Sequence, residues 1–168
     1  NNQHFLPAFE IAIKEAKKEI DQIVTNPAVA DFENTLVALE FSGNRLNRIS
    51  SVFFNLNAAE TNEEIQKIAQ EVSPMLSEFA NDITLNEALF KKIQTVYQNK
   101  DTLNLSQEET MLLDKNYKAF IRNGANLDEK GKAQLREIDK EKSKLSLQFG
   151  ENVLAETNNF EMIITDEA

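Results

Sequence analysis

The sequence holds one histidine, His4, and no cysteine, and these residue types carry much of the metal and nucleophile chemistry of hydrolases. A helical zinc hydrolase site needs two histidines one turn apart, with a glutamate between them. A serine nucleophile supported by a histidine base could use only His4, and a cysteine nucleophile is impossible. Because His4 precedes the first predicted helix, we expect it to be exposed and not a metal ligand.

Two pairs of neighbouring carboxylates could also do chemistry, namely Glu63 with Glu64 and Glu108 with Glu109. Each pair lies in a capping box, a serine or threonine followed three residues later by a glutamate, here Thr61 to Glu64 and Ser106 to Glu109. The helix dipole stabilises acidic residues in a first turn, so a structural role explains both pairs. We therefore predict that this chain contains no catalytic, cofactor-binding or metal-binding residue.

Length and charge restrict the class of protein. A chain of 168 residues fits one domain with a sizeable core. Its formal net charge is -10, with 28 acidic residues against 18 basic ones and no basic cluster. Nucleic acid and anionic membranes need basic patches, so neither is expected as a partner. No apolar run is long enough to span a bilayer. We expect a monomer.

Helical periodicity dominates the chain, and only four glycines and three prolines interrupt it. Apolar residues recur at steps of three and four, which is typical of helices with one buried face. Asp31, Asn86 and Asp128 can act as N-caps, and Asn123-Gly124 supplies a left-handed stop. We predict an all-α bundle of about six long, largely antiparallel helices, at about 7–25, 31–56, 61–83, 86–97, 106–123 and 128–157.

Three positions qualify this prediction. Gly43 lies on the apolar stripe of the second helix, where we expect close packing of a neighbouring helix and not a break. Pro74 should kink or divide the third helix, because it lacks a backbone donor. Phe160, Met162 and Ile164 alternate as in a strand, so we assign residues 1–168 to a helical domain whose segment 158–168 begins a link to another part. On the last long helix, the predicted buried face is formed by Leu135, Ile138, Leu145, Phe149 and Val153.

Several stretches of the sequence resemble one enzyme family. Three segments resemble the N-terminal region of the thimet oligopeptidase and neurolysin family. They are His-Phe-Leu-Pro-Ala-Phe at 4–9, Phe-Glu-Asn-Thr-Leu at 32–36 and Ser-Val-Phe-Phe-Asn-Leu-Asn at 51–57. Further similar segments lie at 71–77, 117–127 and 144–157. These segments most resemble the sequences of the bacterial peptidyl-dipeptidase, or dipeptidyl carboxypeptidase, branch of that family.

The resemblance implies a function for the parent protein. Family members are largely helical zinc peptidases in which two halves flank a channel that admits short peptides. The matched region would be a non-catalytic channel-wall domain of a zinc-dependent peptidyl-dipeptidase that removes C-terminal dipeptides. Its partners would be the catalytic half of the same polypeptide and short peptide substrates. Zinc is expected in the parent and not in this fragment, which should be inactive alone.

A different reading also fits the composition. The chain could be a free-standing helical interaction module that binds a partner helix in an apolar groove. The strand-like segment and the absence of an initial Met are more typical of an excerpt from a longer chain. We favour a cytoplasmic location and keep a periplasmic one open, because a targeting segment could precede Asn1.

We predict that the parent reading frame continues past Ala168 for several hundred residues and encodes His-Glu-x-x-His on a helix, with a further carboxylate ligand downstream. The reason is partly physical, since a strand at Phe160 to Ile164 needs a partner strand to pair its backbone groups. Sequencing the gene tests this. A stop codon directly after Ala168, or a continuation without that motif, would favour the interaction module.

Overall fold

The computed structural model of this protein describes residues 1–163, and within them it contains helices and connecting turns but no strand. Six helices of at least twelve residues form the bundle, which confirms the predicted all-α class. They are α1 (Phe5–Thr25), α3 (Asn44–Ala59), α4 (Glu63–Thr84), α5 (Glu87–Gln98), α6 (Gln107–Arg122) and α7 (Glu129–Asn159). A π-helical segment, Phe32–Val37, leads into the short helix α2, Ala38–Phe41.

Side-chain caps fix where most of these helices begin. In each case an oxygen of the N-cap side chain accepts a hydrogen bond from the backbone N–H three residues later, which satisfies a donor that the helix itself cannot. The capping oxygens lie 2.7–3.2 Å from those nitrogens, and the caps are Asp31, Asn62, Asn86, Ser106 and Asp128. The predicted caps at Asp31, Asn86, Ser106 and Asp128 are confirmed.

Helix α1 lies at the centre of the bundle, and its stripe of six residues is buried, namely Phe9, Ala12, Ile13, Ala16, Ile20 and Ile23. Phe9 to Ala16 pack in one cluster with buried residues of α3 and α4, including Phe53 and Val72. Ile20 and Ile23 pack in a second cluster with α5 and Phe120 of α6. A third, smaller cluster joins the π-helical segment to α5 and α6 through Phe32, Leu36, Val96 and Leu113.

Pairs of contacts between helices show their relative directions. Glu15 of α1 bonds Arg45 near the start of α3, while Phe5 of α1 packs against Phe53 near its end, so α1 and α3 are antiparallel. The same reasoning makes α5 and α6 antiparallel, through the ring pairs Phe90–Phe120 and Tyr97–Tyr117. Helices α4 and α7 are also antiparallel, through Asp82–Arg136 and Gln70–Glu151.

Helices α1 and α4 run parallel, because Asn2 bonds Glu64 at one end and Lys17 bonds Asp82 at the other. The prediction of a largely antiparallel bundle therefore holds with this one exception among the pairs that such contacts define.

Gly43 breaks the predicted second helix, so our expectation of an uninterrupted helix was wrong. The residue adopts φ +68°, a left-handed conformation that favours glycine, between α2 and α3. Close packing is not what requires it, since an added Cβ would lie 3.8 Å from Ala16 Cβ, an ordinary contact. Instead the turn exposes the Gly43 N–H, which donates to Glu19 Oε2 at 2.7 Å and stabilises the start of α3.

Pro74 does not divide its helix. Helix α4 continues from Glu63 to Thr84 with Pro74 inside it. The helix packs against α1, α3 and α7. These contacts offset the cost of one missing backbone hydrogen bond, which is why the proline is accommodated.

The last helix differs most from the prediction. Helix α7 packs on α4 through positions that include Arg136 and Leu147. Of the predicted apolar face, only Leu135 is partly covered, whereas Ile138, Leu145, Phe149 and Val153 are exposed. The prediction that this face is buried was wrong, because α7 meets essentially one helix, through a neighbouring and more polar side.

The strand-like pattern is not realised as a strand in the described residues. Phe160 to Ile163 follow α7 without regular secondary structure, and their side chains are exposed. Ile164, the third residue of the pattern, lies outside the described residues. No described segment lies alongside to supply a partner for backbone pairing.

Three glycine variants test the backbone geometry. Gly124 has φ +93°, and an added Cβ would lie 2.7 Å from Leu135 Cδ2, so Gly124→Ala should destabilise the fold by about 2–4 kcal/mol from strain and crowding together. Gly43→Ala meets only the backbone strain and should cost about 1 kcal/mol. Gly150→Ala, inside α7 with open space around it, should stabilise by about 0.5–1 kcal/mol.

Urea unfolding followed by far-ultraviolet circular dichroism measures all three variants. The order of stability Gly150→Ala, wild type, Gly43→Ala, Gly124→Ala is expected. A Gly124→Ala variant as stable as wild type would contradict the crowded turn between α6 and α7.

Candidate functional site

His4 lies in an exposed position, in a short 3-10 turn that precedes α1. It borders a shallow cleft of about 420 Å³ whose other lining residues include Phe5, Arg48 and Val52. None of the side chains that line this cleft is a carboxylate. The cleft beside His4 therefore offers no carboxylate that could orient its ring.

Of the pair Glu108 and Glu109, Glu109 completes the predicted capping box, and Glu108 lies in the same first turn. Glu109 Oε2 accepts from the Ser106 backbone N–H at 2.7 Å, and Ser106 Oγ accepts from the Glu109 N–H at 3.2 Å. Each side chain thus satisfies the other residue's backbone donor. The carboxylate of Glu109 is held at the start of α6 and stabilises it.

The other pair caps differently from the prediction. The N-cap of α4 is Asn62, whose Oδ1 accepts from the Ile65 N–H at 3.0 Å, so a capping box on Thr61 was the wrong interpretation. The Thr61 hydroxyl bonds Asn57 Oδ1 instead, at 3.2 Å. Asparagine is a better N-cap than threonine, which explains the shift by one residue. Glu64 is left to accept from Asn2 Nδ2 at 3.0 Å.

Within residues 1–163, no three His, Cys, Asp or Glu side chains lie close enough together to hold a metal ion. The prediction that this chain carries no catalytic, cofactor-binding or metal residue rests on the sequence, above all on its single histidine. It stays a prediction.

A concave surface with polar lining lies between α4 and α7, and we call it the α4–α7 cleft. Its volume is about 500 Å³, and its lining includes Asn81 of α4, Arg122 at the end of α6, and Asp139 and Lys142 of α7. Asn81 is only 5% exposed and borders the cleft. Amide, carboxylate and cationic groups of this kind can bind a polar ligand by hydrogen bonds and ion pairs.

Two ion pairs that share Asp82 join α1, α4 and α7. Asp82 of α4 accepts from Lys17 of α1 at 2.7 Å and from Arg136 of α7 at 2.8 Å. All three side chains are partly exposed, so each bond contributes little free energy alone, although a shared carboxylate holds three helices in register. Sequence reasoning missed this cluster, since nothing in the local pattern links positions 17, 82 and 136.

A second charged cluster lies where the end of α5 and the turn after it meet α6. The rings of Tyr97 and Tyr117 stack at 3.9 Å between centroids, and Lys100 Nζ lies 4.4 Å from the Tyr97 ring centroid. Lys118 Nζ bonds Asp114 Oδ2 at 2.8 Å, while Lys100 Nζ lies 3.6 Å from Oδ1, too far for a hydrogen bond. This cluster links the turn after α5 to α6.

The charges of this cluster shift its titration. The Lys118 hydrogen bond, helped by the positive charges of Lys118 and Lys100, lowers the pKa of Asp114, although partial burial opposes the shift. Burial lowers the pKa of Lys100, but its interaction with Tyr97 and the nearby negative charges of Asp114 and Asp101 outweigh burial and raise it. Both shifts favour the charged forms of Asp114 and Lys100, as expected of groups that attract each other.

Comparison with known proteins identifies what this helical bundle is similar to. The chain is 38% identical over 167 residues to dipeptidyl carboxypeptidase of Escherichia coli (strain K12), covering 99% of this chain and 24% of that protein. It is 41% identical over 152 residues to dipeptidyl carboxypeptidase of Salmonella typhimurium, covering 90% of this chain and 22% of that protein. Oligopeptidase A of Haemophilus influenzae is 26% identical over 166 residues, 99% of this chain and 24% of that protein.

The chain is homologous to an N-terminal region of these peptidases. The resemblance to the thimet oligopeptidase family and its dipeptidyl carboxypeptidase branch is thereby confirmed. The chain spans about a quarter of the length of the relatives it matches. No protein-family model matches it. Among residues 1–163, no helix is long and apolar enough to cross a membrane.

The Asp114 cluster predicts a pH dependence of stability. Because the folded-state pKa of Asp114 is lowered, its contribution is present above its unfolded-state pKa and is lost as pH falls through the folded value. Asp114→Asn should therefore lower the urea midpoint at neutral pH but lose less stability than wild type as the pH falls below about 4.

Urea titrations at several pH values provide the measurement, with exposed Glu141→Gln as the matched control. The control should follow the wild-type pH profile. An Asp114→Asn profile parallel to wild type across the acid range would show that the cluster contributes no linked stability.

Proposed function

We propose that this chain is a non-catalytic wall domain of a zinc-dependent peptidyl-dipeptidase that removes C-terminal dipeptides from short peptides. The observation that carries the proposal is the match of 99% of the chain to about a quarter of dipeptidyl carboxypeptidase. Since relatives of this name are several times longer, the remaining length has room for catalytic residues that the present chain lacks.

The residue content of this chain supports a catalytic site built from another part of the parent polypeptide. A zinc site of the His-Glu-x-x-His type needs two histidines, and this chain has one, exposed ahead of α1. The zinc ligands and the general base would then come from the rest of the polypeptide. Zinc bound there would polarise the scissile carbonyl and activate a water molecule.

The domain's own part would be to shape access to the channel. A rigid bundle is suited to this, because a channel wall restricts substrate size only if its helices keep their positions when a peptide binds. Three clusters of buried side chains and the ion pairs of Asp82 hold the helices together. The α4–α7 cleft offers groups that could contact the polar backbone of a short peptide.

A free-standing interaction module remains the second candidate, and one observation favours it. Helix α7 exposes a row of large apolar side chains, which is how a module would bind a partner helix. The extent of the match to peptidases weighs against it, because the homology covers nearly the whole chain and not only one face.

Metal and activity measurements test the proposal. The purified 168-residue chain should hold far less than one zinc per molecule and release no dipeptide from short N-blocked peptides, because one histidine cannot build the site. The full-length parent should release C-terminal dipeptides and lose this activity to a chelator.

The matched control is the parent with the glutamate of its His-Glu-x-x-His motif changed to glutamine, which should keep its zinc and lose activity. One tightly held zinc in the 168-residue chain, or chelator-sensitive dipeptide release that survives further purification, would overturn the assignment. A full-length parent without peptidase activity would do the same.

A further inference from the structure

Helix α7 carries an apolar face that no described part of the protein covers. Ile138, Leu145, Phe149 and Val153 are 60%, 54%, 71% and 48% exposed. At 3.6 residues per turn, their spacing of seven, four and four places them on one side of the helix. We call these four residues the α7 face.

The exposure of the α7 face is unusual within this protein. The equivalent stripes of α1 and α5 are buried, whereas in α7, a helix of 31 residues, the buried residue is Lys132. Single exposed apolar residues are normal on a protein surface, but a contiguous row of large ones marks an interaction site. The apolar surface continues beyond the helix, since Phe160, Met162 and Ile163 are 74–81% exposed.

The chemistry of the chain narrows what could cover this face. A net charge of -10 disfavours an anionic lipid surface or a nucleic acid. The relatives provide a positive argument, since about three quarters of the length of dipeptidyl carboxypeptidase has no counterpart in this chain. A domain interface inside one polypeptide needs an apolar patch on each side, and the α7 face supplies one.

We propose that the α7 face is the surface on which the remaining part of the parent polypeptide docks. This inference rests on the proposed function, because it requires the chain to be part of a longer peptidase. Phe149, the most exposed of the four, is the central contact. A second copy of the 168-residue chain would occupy the same face only when the natural partner is missing.

Thiol labelling tests the docking surface, and the absence of cysteine from this chain makes the labelling clean. Phe149→Cys and Leu145→Cys are compared in the 168-residue chain and in the full-length protein, after subtraction of the reactivity of the unsubstituted protein. Glu137→Cys, an exposed position on a different side of α7, is the matched control. Because both target side chains are exposed here, neither substitution should prevent folding, and circular dichroism verifies this.

In the full-length protein, the thiols at 149 and 145 should react at least about tenfold more slowly than in the 168-residue chain, because the core of an interface excludes solvent. The thiol at 137 should react at similar rates in both. Equal rates at 149 and 145 in the two proteins would overturn the proposal, and so would equal protection at 137.

Sedimentation and peptidase activity distinguish the possible causes of slow labelling. Protection at 149 in the full-length protein that disappears on dilution, with a dimer in sedimentation, would assign the face to a second copy and overturn the proposal. Peptidase activity of the same full-length preparation is measured in parallel. Active protein without protection rejects the docking surface alone, while protection without activity supports the docking surface and rejects the peptidase function.

Discussion

The shared burial of helix α1 is the interaction on which the rest of the bundle depends. Its one apolar stripe belongs to two clusters, since Phe9 to Ala16 face α3 and α4 while Ile20 and Ile23 face α5 and α6. Each large side chain buried in this way contributes about 1.5–3 kcal/mol. Because both clusters use the same rigid helix, the two groups of helices cannot shift independently without opening one of them.

Helix α4 extends this arrangement to α7, and the character of the contacts changes on the way. The α1–α4 contact is apolar in its middle, with Ala69 and Val72 in the core. The α4–α7 contact relies more on polar pairs, such as Arg136 with Asp82 and Gln70 with Glu151. A polar contact of this kind holds α7 in place while leaving its apolar side free, so the helix can serve as a boundary to another part of a protein.

The charged side chains that might suggest chemistry have structural roles in this bundle. The acidic pairs that might suggest catalysis lie at helix starts, where the dipole stabilises a carboxylate. There Glu109 accepts from a backbone N–H, and Glu64 accepts from the side-chain amide of Asn2. The charged forms of Asp114 and Lys100 favour each other, which links the turn after α5 to α6. In the proposed function, the bundle would therefore act as a fixed surface.

The sequence by itself determined the all-α class, the approximate extents of most helices and four of the five N-caps, because caps and periodicity are local properties. Short stretches of the sequence also indicated the similarity to dipeptidyl carboxypeptidase. Only the tertiary structure decided that Gly43 ends a helix, that Asp82 joins Lys17 to Arg136, and that the apolar side of α7 faces outward. These depend on which helices meet, and a helix's own sequence shows that it has an apolar face without showing which part of the protein covers it.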